Sequence, residues 1–362
     1  MSDNYDLSML ALKSVAPNNE ILYDDKGKPS IMVRIPQMTY AQLGLGDSTD
    51  VFPAFIVNGQ AVNEIYISKY QNIVNGSRAY SLPGRAPGVN ITFDTAISRC
   101  SAKGRGWHLM TALEWGLLII WCEKNGFLPL GNVAYGKYYT ETNYKAIPAD
   151  GHSSTNWANK VLTGTGPLTW YHDGTPGGIA DLCGNVWEWT GGIRTVYGEL
   201  QILANNDAAD SANGQGASAS GWKAINGTTG ALVTPNGSGT TVDTIKMDYV
   251  DGAIKYDTTI SSSSDSSRYC LFKNITYNTN TIGATALALL RSLEMLPVEG
   301  TLCTSYGRCY FNNGAAERSF SRGGNYISAS EYAFPSFRGS SDRSYSGGNI
   351  GFRSAFVKLP SA

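Results

Sequence analysis

Apolar positions recur with a helical period in two segments of the first third of the chain. The stronger signal begins at Thr111, where Glu114 completes a capping box, and runs to Gly126, a typical C-terminal stop. A preceding helix is predicted with Asp94 as its cap and ends before Gly104. Both helices carry a mostly apolar face, so we expect them to lie in the core.

Short β-prone runs come before these helices. Residues 31–35 form a mostly apolar run that Pro36 ends, and two further runs flank Asn58-Gly59, a dipeptide typical of tight hairpins. We assign residues 1–50 to an N-terminal lead or attachment segment and residues 51–362 to one domain. The pattern favours an α+β fold with two core helices, short twisted strands and long loops.

A change of composition marks the middle of the domain. From about residue 193 to 300 the chain turns to Ser, Thr, Asn, Gly and Ala, in stretches too polar to nucleate a core. We interpret residues 193–300 as a polar, partly strand-bearing insertion. A short helix over residues 285–295 is predicted to close it.

The bulk composition argues against several partners. The formal net charge is -1, and the Lys and Arg residues are scattered, so no basic stripe for nucleic acid is present. The longest fully apolar run, residues 117–122, is far shorter than the roughly 20 residues of a spanning helix, so no membrane insertion is expected. The N terminus lacks the features of a signal peptide, which indicates synthesis in a cytoplasm.

Few residues offer metal or redox chemistry. The six cysteines include no CxxC pair, so zinc-ligand spacing is absent and buried thiols are expected. Cys303 and Cys309 flank a short turn, and their spacing suggests a disulfide. Synthesis in a reducing cytoplasm argues against this bond. His108, His152 and His172 are isolated in sequence, as is usual for satisfied structural histidines.

Three motifs stand out in the chain: GRGWHLMTALEW at 104–115, GIADLCGNVWEWTGG at 178–192 and SRGGN…NIGFRSAF within 321–356. Their order and spacing resemble the formylglycine-generating-enzyme/sulfatase-modifying-factor family, a branch of the C-type-lectin fold. The resemblance covers roughly residues 50–192 and 300–362. It implies a C-type-lectin-like fold of the formylglycine-generating type.

The loop that contains the second motif has two interpretations. In the structural one, Trp187 and Trp189 project to one side of a strand and bury a large area, while Asn185 and Glu188 satisfy loop backbone. In the other, the resemblance implies a structural calcium ion, for which hard oxygen ligands are suitable. The positions that match the family's calcium ligands are Asp181, Gly184, Val186 and Glu188. No other cofactor is expected.

The catalytic residues of the family do not carry over. Its copper-binding cysteine pair corresponds to the segment 325–333, where Ser328 and Ala333 stand at the cysteine positions. The family's iron-dependent branch needs a His-rich site, which this sequence lacks. We therefore expect a non-enzymatic protein, with an oxygen-activating enzyme of the formylglycine-generating type as an alternative.

The third motif encloses a segment of unusual composition. The 29 residues 321–349 include 15 Ser, Gly or Asn residues and five aromatic residues, a mixture typical of antibody-like binding surfaces. Ahead of a GFR strand, the segment resembles the variable region of prophage-encoded proteins diversified by retroelements, here about residues 322–349. Arg322, Gly323 and Gly324 precede the variable region, and Arg353 follows it. The ligand-binding positions that this implies are Tyr326, Ser328, Ser330, Tyr332, Phe334, Ser336, Phe337, Ser340, Ser341, Asp342, Tyr345 and Ser346.

This resemblance implies a receptor-binding protein at the tip of a phage tail fibre, present in the virion or in the cytoplasm before assembly. The implied partner is a cell-surface protein or glycan of a bacterial host, and fibre tips suggest a homotrimer. A calcium-independent lectin is the remaining alternative, because the EPN and QPD tripeptides of calcium-dependent lectins are missing.

Overall fold

The computed structural model describes residues 7–150, 159–298, 307–331 and 334–359. These residues form a mixed α+β fold in which strands far outnumber helices. The α-helices of this part of the chain are α1 (Leu7–Val15), α2 (Phe93–Ser101), α3 (Ala112–Lys124) and α4 (Ala284–Ser292). None of the helices within the described ranges is long and apolar enough to cross a membrane.

The strands are short, as the sequence predicts. In chain order they are β1 (Asn19–Tyr23), β2 (Pro29–Pro36), β3 (Ile56–Val57), β4 (Gln60–Ala61), β5 (Glu64–Ser68), β6 (Ile73–Asn75), β7 (Arg78–Tyr80), β8 (Trp107–Leu109), β9 (Trp187–Val196), β10 (Glu199–Ile202), β11 (Lys223–Ile225), β12 (Leu232–Val233), β13 (Lys246–Val250), β14 (Ala253–Asp257), β15 (Arg268–Leu271), β16 (Thr276–Tyr277), β17 (Arg308–Phe311), β18 (Arg318–Arg322), β19 (Phe337–Ser341), β20 (Ile350–Phe352) and β21 (Ser354–Phe356).

The smaller sheet joins both ends of the described chain. Its strand order is β1-β2-β5-β21-β8, and every neighbouring pair is antiparallel. The predicted lead, residues 1–50, therefore contributes two strands to a sheet that later strands complete. Its role in attachment stays a prediction.

The larger sheet has twelve strands and carries the candidate site. Its main path is β15-β17-β19-β18-β9-β10-β13-β14-β16, with β20 beside β9 and with β11 and β12 beside β10. Seven of these strands, β10 to β16, come from the predicted insertion. The insertion is thus built into the sheet and buries side chains such as Ile245, Tyr256 and Phe272.

The two predicted core helices are present. Thr111 and Glu114 form the capping box of α3, and a Cβ at Gly116 would overlap the carbonyl oxygen of Ser292, so α3 packs closely on the end of α4. The cap of α2 is Thr92, whose hydroxyl accepts from the Thr95 amide at 3.3 Å. Asp94 as the cap is wrong, because its carboxylate lies in the first turn and pairs with Arg343.

Candidate binding face

The variable segment runs from the end of β18 through β19 to β20, and only part of it faces solvent. Tyr326, Ser340 and Tyr345 are half-exposed, while Ser330, Asp342 and Ser346 are exposed. Tyr332 and Ala333 lie outside the described residues, as does Cys303.

Five of the predicted ligand-binding side chains are buried instead. They are Ser328, Phe334, Ser336, Phe337 and Ser341, each 4% exposed or less. Their assignment to the solvent-facing surface is wrong. For Phe337 and Ser341 the reason is that β19 is a regular strand whose side chains alternate between core and solvent, while the other three are buried in the loop before that strand. Inward-facing Phe337 contacts Phe320, with 5.8 Å between ring centroids, and Phe334 lies against Trp115.

Outward-facing positions of three neighbouring strands form a continuous row. Tyr269 of β15 is the register partner of Tyr310 of β17, which is in turn the partner of Arg338 of β19. The two tyrosine rings lie 5.6 Å apart, and the Arg338 guanidinium lies 5.2 Å from the ring centroid of Tyr345. We call Tyr269, Tyr310 and Arg338 the outer row.

A polar cup of about 280 Å³ opens beside this row. It is lined by Trp187, Ser267, Tyr310, Asn325, Ile327, Ser328, Arg338 and Asn349. The Asn325 side chain is 4% exposed, and its Oδ1 accepts from the Ser328 hydroxyl at 2.8 Å, which leaves its Nδ2 without a hydrogen-bond partner among the described residues. This donor is accessible from the cup and can bind a ligand atom or water.

Arg338 differs from the nearby arginines Arg343 and Arg318, which each pair with a carboxylate. The Arg343 guanidinium pairs with Glu317 at 2.7 Å and with Asp94 at 2.6 Å, and Arg318 pairs with Asp265 at 3.2 Å. Arg338 makes no ion pair with a carboxylate of the described ranges, and its side chain donates a long hydrogen bond, 3.4 Å from Nε to the Ser340 hydroxyl. The cup therefore carries positive charge.

Among the residues that line the cup, the sequence predicted only Ser328 as ligand-binding; the predicted Tyr345 and Ser340 lie beside Arg338. Trp187 was predicted as a core residue and is buried, whereas Tyr269, Tyr310 and Asn349 were not predicted as site residues. The alternation of β17, with Arg308 and Tyr310 outward and Cys309 and Phe311 inward, is the signal from which Tyr310 could have been found.

The structural interpretation of the WEW motif describes what is found. Trp189 is fully buried, its Nε1 donates to the Ile91 carbonyl at 2.8 Å, and its ring lies 5.8 Å from that of Phe93. The Asn185 side chain bridges loop backbone by accepting from the Val161 amide at 2.9 Å. Through Ser321, the register partner of both Trp189 and Arg338, the motif lies on the same face of the sheet as the outer row.

The predicted calcium ligands converge, but on a side-chain amide. Gln71 Nε2 lies 3.0 Å from Glu188 Oε1 and 3.1–3.3 Å from the carbonyl oxygens of Asp181, Gly184 and Val186. The Glu188 carboxylate is also bound at both oxygens by Arg353, at 2.9 Å. The Asp181 carboxylate turns away and accepts from the Gly164 amide, and burial raises its pKa to about 6. The Gln71 amide has two N–H donors for these four oxygens and lies between them, so a calcium ion could bind there only if the Gln71 side chain moved away.

Calcium is accordingly expected to leave the stability of the protein unchanged. An ion that binds only the folded state raises Tm with its concentration, whereas a loop closed by Gln71 and Arg353 gains nothing from it. The measurement is thermal unfolding with excess calcium and with a chelator. A reproducible rise of Tm with calcium, lost in a Glu188→Gln variant, would contradict this account of the loop.

Burial shifts the pKa values of the described thiols and of one histidine. Burial raises the pKa of Cys100 and Cys183 to about 12 and that of Cys270 to about 11, so these thiols stay protonated. Burial also lowers the pKa of His172 to about 4. No group of three or more His, Cys, Asp or Glu residues in the described ranges could hold a metal ion.

Comparisons with known proteins find two solved structures that match along most of the chain. PvdO from Pseudomonas aeruginosa is 13% identical, with 93% of this chain and 97% of PvdO covered and a TM-score of 0.34. Treponema denticola variable protein 1 is 13% identical, with 94% and 99% covered and a TM-score of 0.31. The second is a variable protein. No family model and no curated protein matches the chain. Because both TM-scores are low, neither likeness supports an argument about function.

Proposed function

We propose that the chain is a non-catalytic binding protein on a C-type-lectin-like scaffold of the formylglycine-generating type, and that its ligand is held by the outer row and the polar cup. The observation that carries this proposal is the alternation across β17 and β19. Their inward side chains, such as Cys309 and Phe337, are fully buried, whereas their outward partners Tyr310 and Arg338 face solvent. Outer side chains can therefore change without loss of core packing.

The same alternation reduces the number of predicted variable positions that can contact a ligand. Variation at the six positions that reach solvent would alter ligand contact, while the buried positions are constrained by packing. The six are Tyr326, Ser330, Ser340, Asp342, Tyr345 and Ser346. We propose a receptor-binding role at a phage tail-fibre tip, with a protein or glycan of a bacterial surface as ligand. Display in a trimer would strengthen weak single-site binding.

The first test of the face is the replacement of Tyr310 or Tyr345 by alanine. Each change is expected to weaken binding by more than about 1 kcal/mol, because aromatic anchors carry much of the energy of such surfaces. The measurement is titration of labelled protein against a panel of intact bacterial cells, with Tm followed in parallel. Tyr310→Ala is expected to leave Tm nearly unchanged, since its ring packs on the surface.

A matched control is Tyr197→Ala. Tyr197 is 43% exposed and follows the far end of β9, whereas Trp187 of the cup begins that strand. Equal losses of binding for Tyr310→Ala and Tyr197→Ala, or no loss for either tyrosine of the face, would refute the proposed site.

A further inference from the structure

We propose that the polar cup recognises the carboxylate of an acidic sugar ring, with the Arg338 guanidinium as its counter-ion. This inference rests on the binding role proposed above and names the chemistry of the ligand. Its basis is the coincidence, around one small cavity, of a cation without a carboxylate partner among the described residues, an amide donor without a hydrogen-bond partner among them and the aromatic side chain of Tyr310.

The cation is suited to a carboxylate. A guanidinium presents five N–H donors in a planar fork that matches the two oxygens of a carboxylate. In Arg338 the Nε donor is directed to Ser340, and the terminal nitrogens donate to no group of the described chain. The Tyr345 ring beside the guanidinium holds it in place through a cation–π contact.

Neutral hydrogen-bonding groups line the rest of the cup. The amide Nδ2 of Asn325 has no partner among the described residues, and the Asn349 side chain receives only a long bond of 3.5 Å from the Tyr345 hydroxyl. Amide and hydroxyl groups of this kind suit the hydroxyls of a sugar, while Tyr310 supplies apolar surface for a ring face. With about 280 Å³, the cup lies just below the range of about 300–1,000 Å³ typical of drug-sized ligands, so one ring fits.

An extended acidic peptide is less well accommodated. Peptides that bind along a sheet use unpaired backbone groups at a strand edge. Here β17 is paired on both sides, with β15 and β19, and β19 is paired with β17 and β18. The two strands that carry Tyr310 and Arg338 therefore offer no free edge, whereas β15 is the edge strand of the described sheet. At Arg338 itself recognition must come from side chains, which suits a compact ring.

The experiment is a glycan array that carries matched pairs, namely glucuronic acid beside glucose and sialylated chains beside their desialylated forms, read with a chelator present. The wild-type protein is expected to bind the acidic member of at least one pair. Arg338→Gln is expected to reduce that binding at least about tenfold and to remove the preference over the neutral partner, since a charge-assisted pair is lost. Arg34→Gln, which removes an exposed arginine of the other sheet, is the matched control and is expected to bind as wild type.

The outcomes separate the two proposals. Equal binding of acidic and neutral members, or an Arg338→Gln protein that keeps the preference, would overturn the acidic-sugar inference. So would Arg338-dependent binding of acidic peptides on a parallel peptide array without binding of any acidic sugar. In these cases the binding face still stands if Tyr310→Ala weakens attachment to cells. If Tyr310→Ala and Tyr345→Ala both leave attachment to cells unchanged, the proposed function itself fails.

Discussion

Replacing Arg353 with alanine is expected to lower the free energy of unfolding by about 3–5 kcal/mol. The Arg353 and Glu188 side chains are 0% and 1% exposed, so removal of the guanidinium leaves a carboxylate buried without its counter-ion. Arg353 also donates to the backbone carbonyls of Ser68 and Ala180, which lose their partner. The measurement is urea-induced unfolding at neutral pH.

Arg338→Ala provides the comparison for this loss. The Arg338 side chain is partly exposed and makes no buried ion pair within the described residues, so its replacement is expected to change stability by less than about 0.5 kcal/mol. Arg353→Lys should recover only a fraction of the loss, because an ammonium cannot bind both carboxylate oxygens in the same plane. Equal unfolding midpoints for the Arg353 and Arg338 alanine variants would show that the buried ion pair does not stabilise the fold.

Phe337→Ala is expected to cost about 3–5 kcal/mol, the range for large aromatic side chains deleted from a core. Phe337 is fully buried in the main hydrophobic cluster, although its sequence neighbours Arg338 and Ser340 face outward. Thermal and urea unfolding would measure the effect. A Phe337→Ala protein with unchanged stability and lost binding would instead place this ring on the ligand surface, and would reverse the assignment of faces along β19.

Local signals predicted the parts of the fold that are stabilised locally. The capping box of Thr111 and Glu114 sets the start of α3, since both bonds lie within one turn. Asn58 and Gly59 have the positive φ angles, 51° and 74°, that the two-residue turn between β3 and β4 requires. Such features depend on neighbours in sequence, so a single sequence suffices to find them.

The candidate site depends on contacts between distant segments and was predicted only in part. The inward face of β19 is the one that packs on Phe320, whose ring occupies the space that a side chain at Gly339 would need. Similarly, nothing in the sequence indicated Gln71, which precedes the loop by more than a hundred residues and inserts its amide among the predicted calcium ligands. No pattern along the chain indicates which remote side chain reaches such a place.

The outer row also crosses a boundary within the chain. Tyr269 lies on β15, inside the region 193–300, whereas Arg338 belongs to the segment before the C-terminal strands, and β17 joins the two by hydrogen bonds. One half of the ligand contact can thus be exchanged by grafting the segment that carries β15 from another protein, while the other half is kept. The ligand specificity of this surface could then change in two ways: by recombination of the segment that carries β15, and by point mutation in the variable segment.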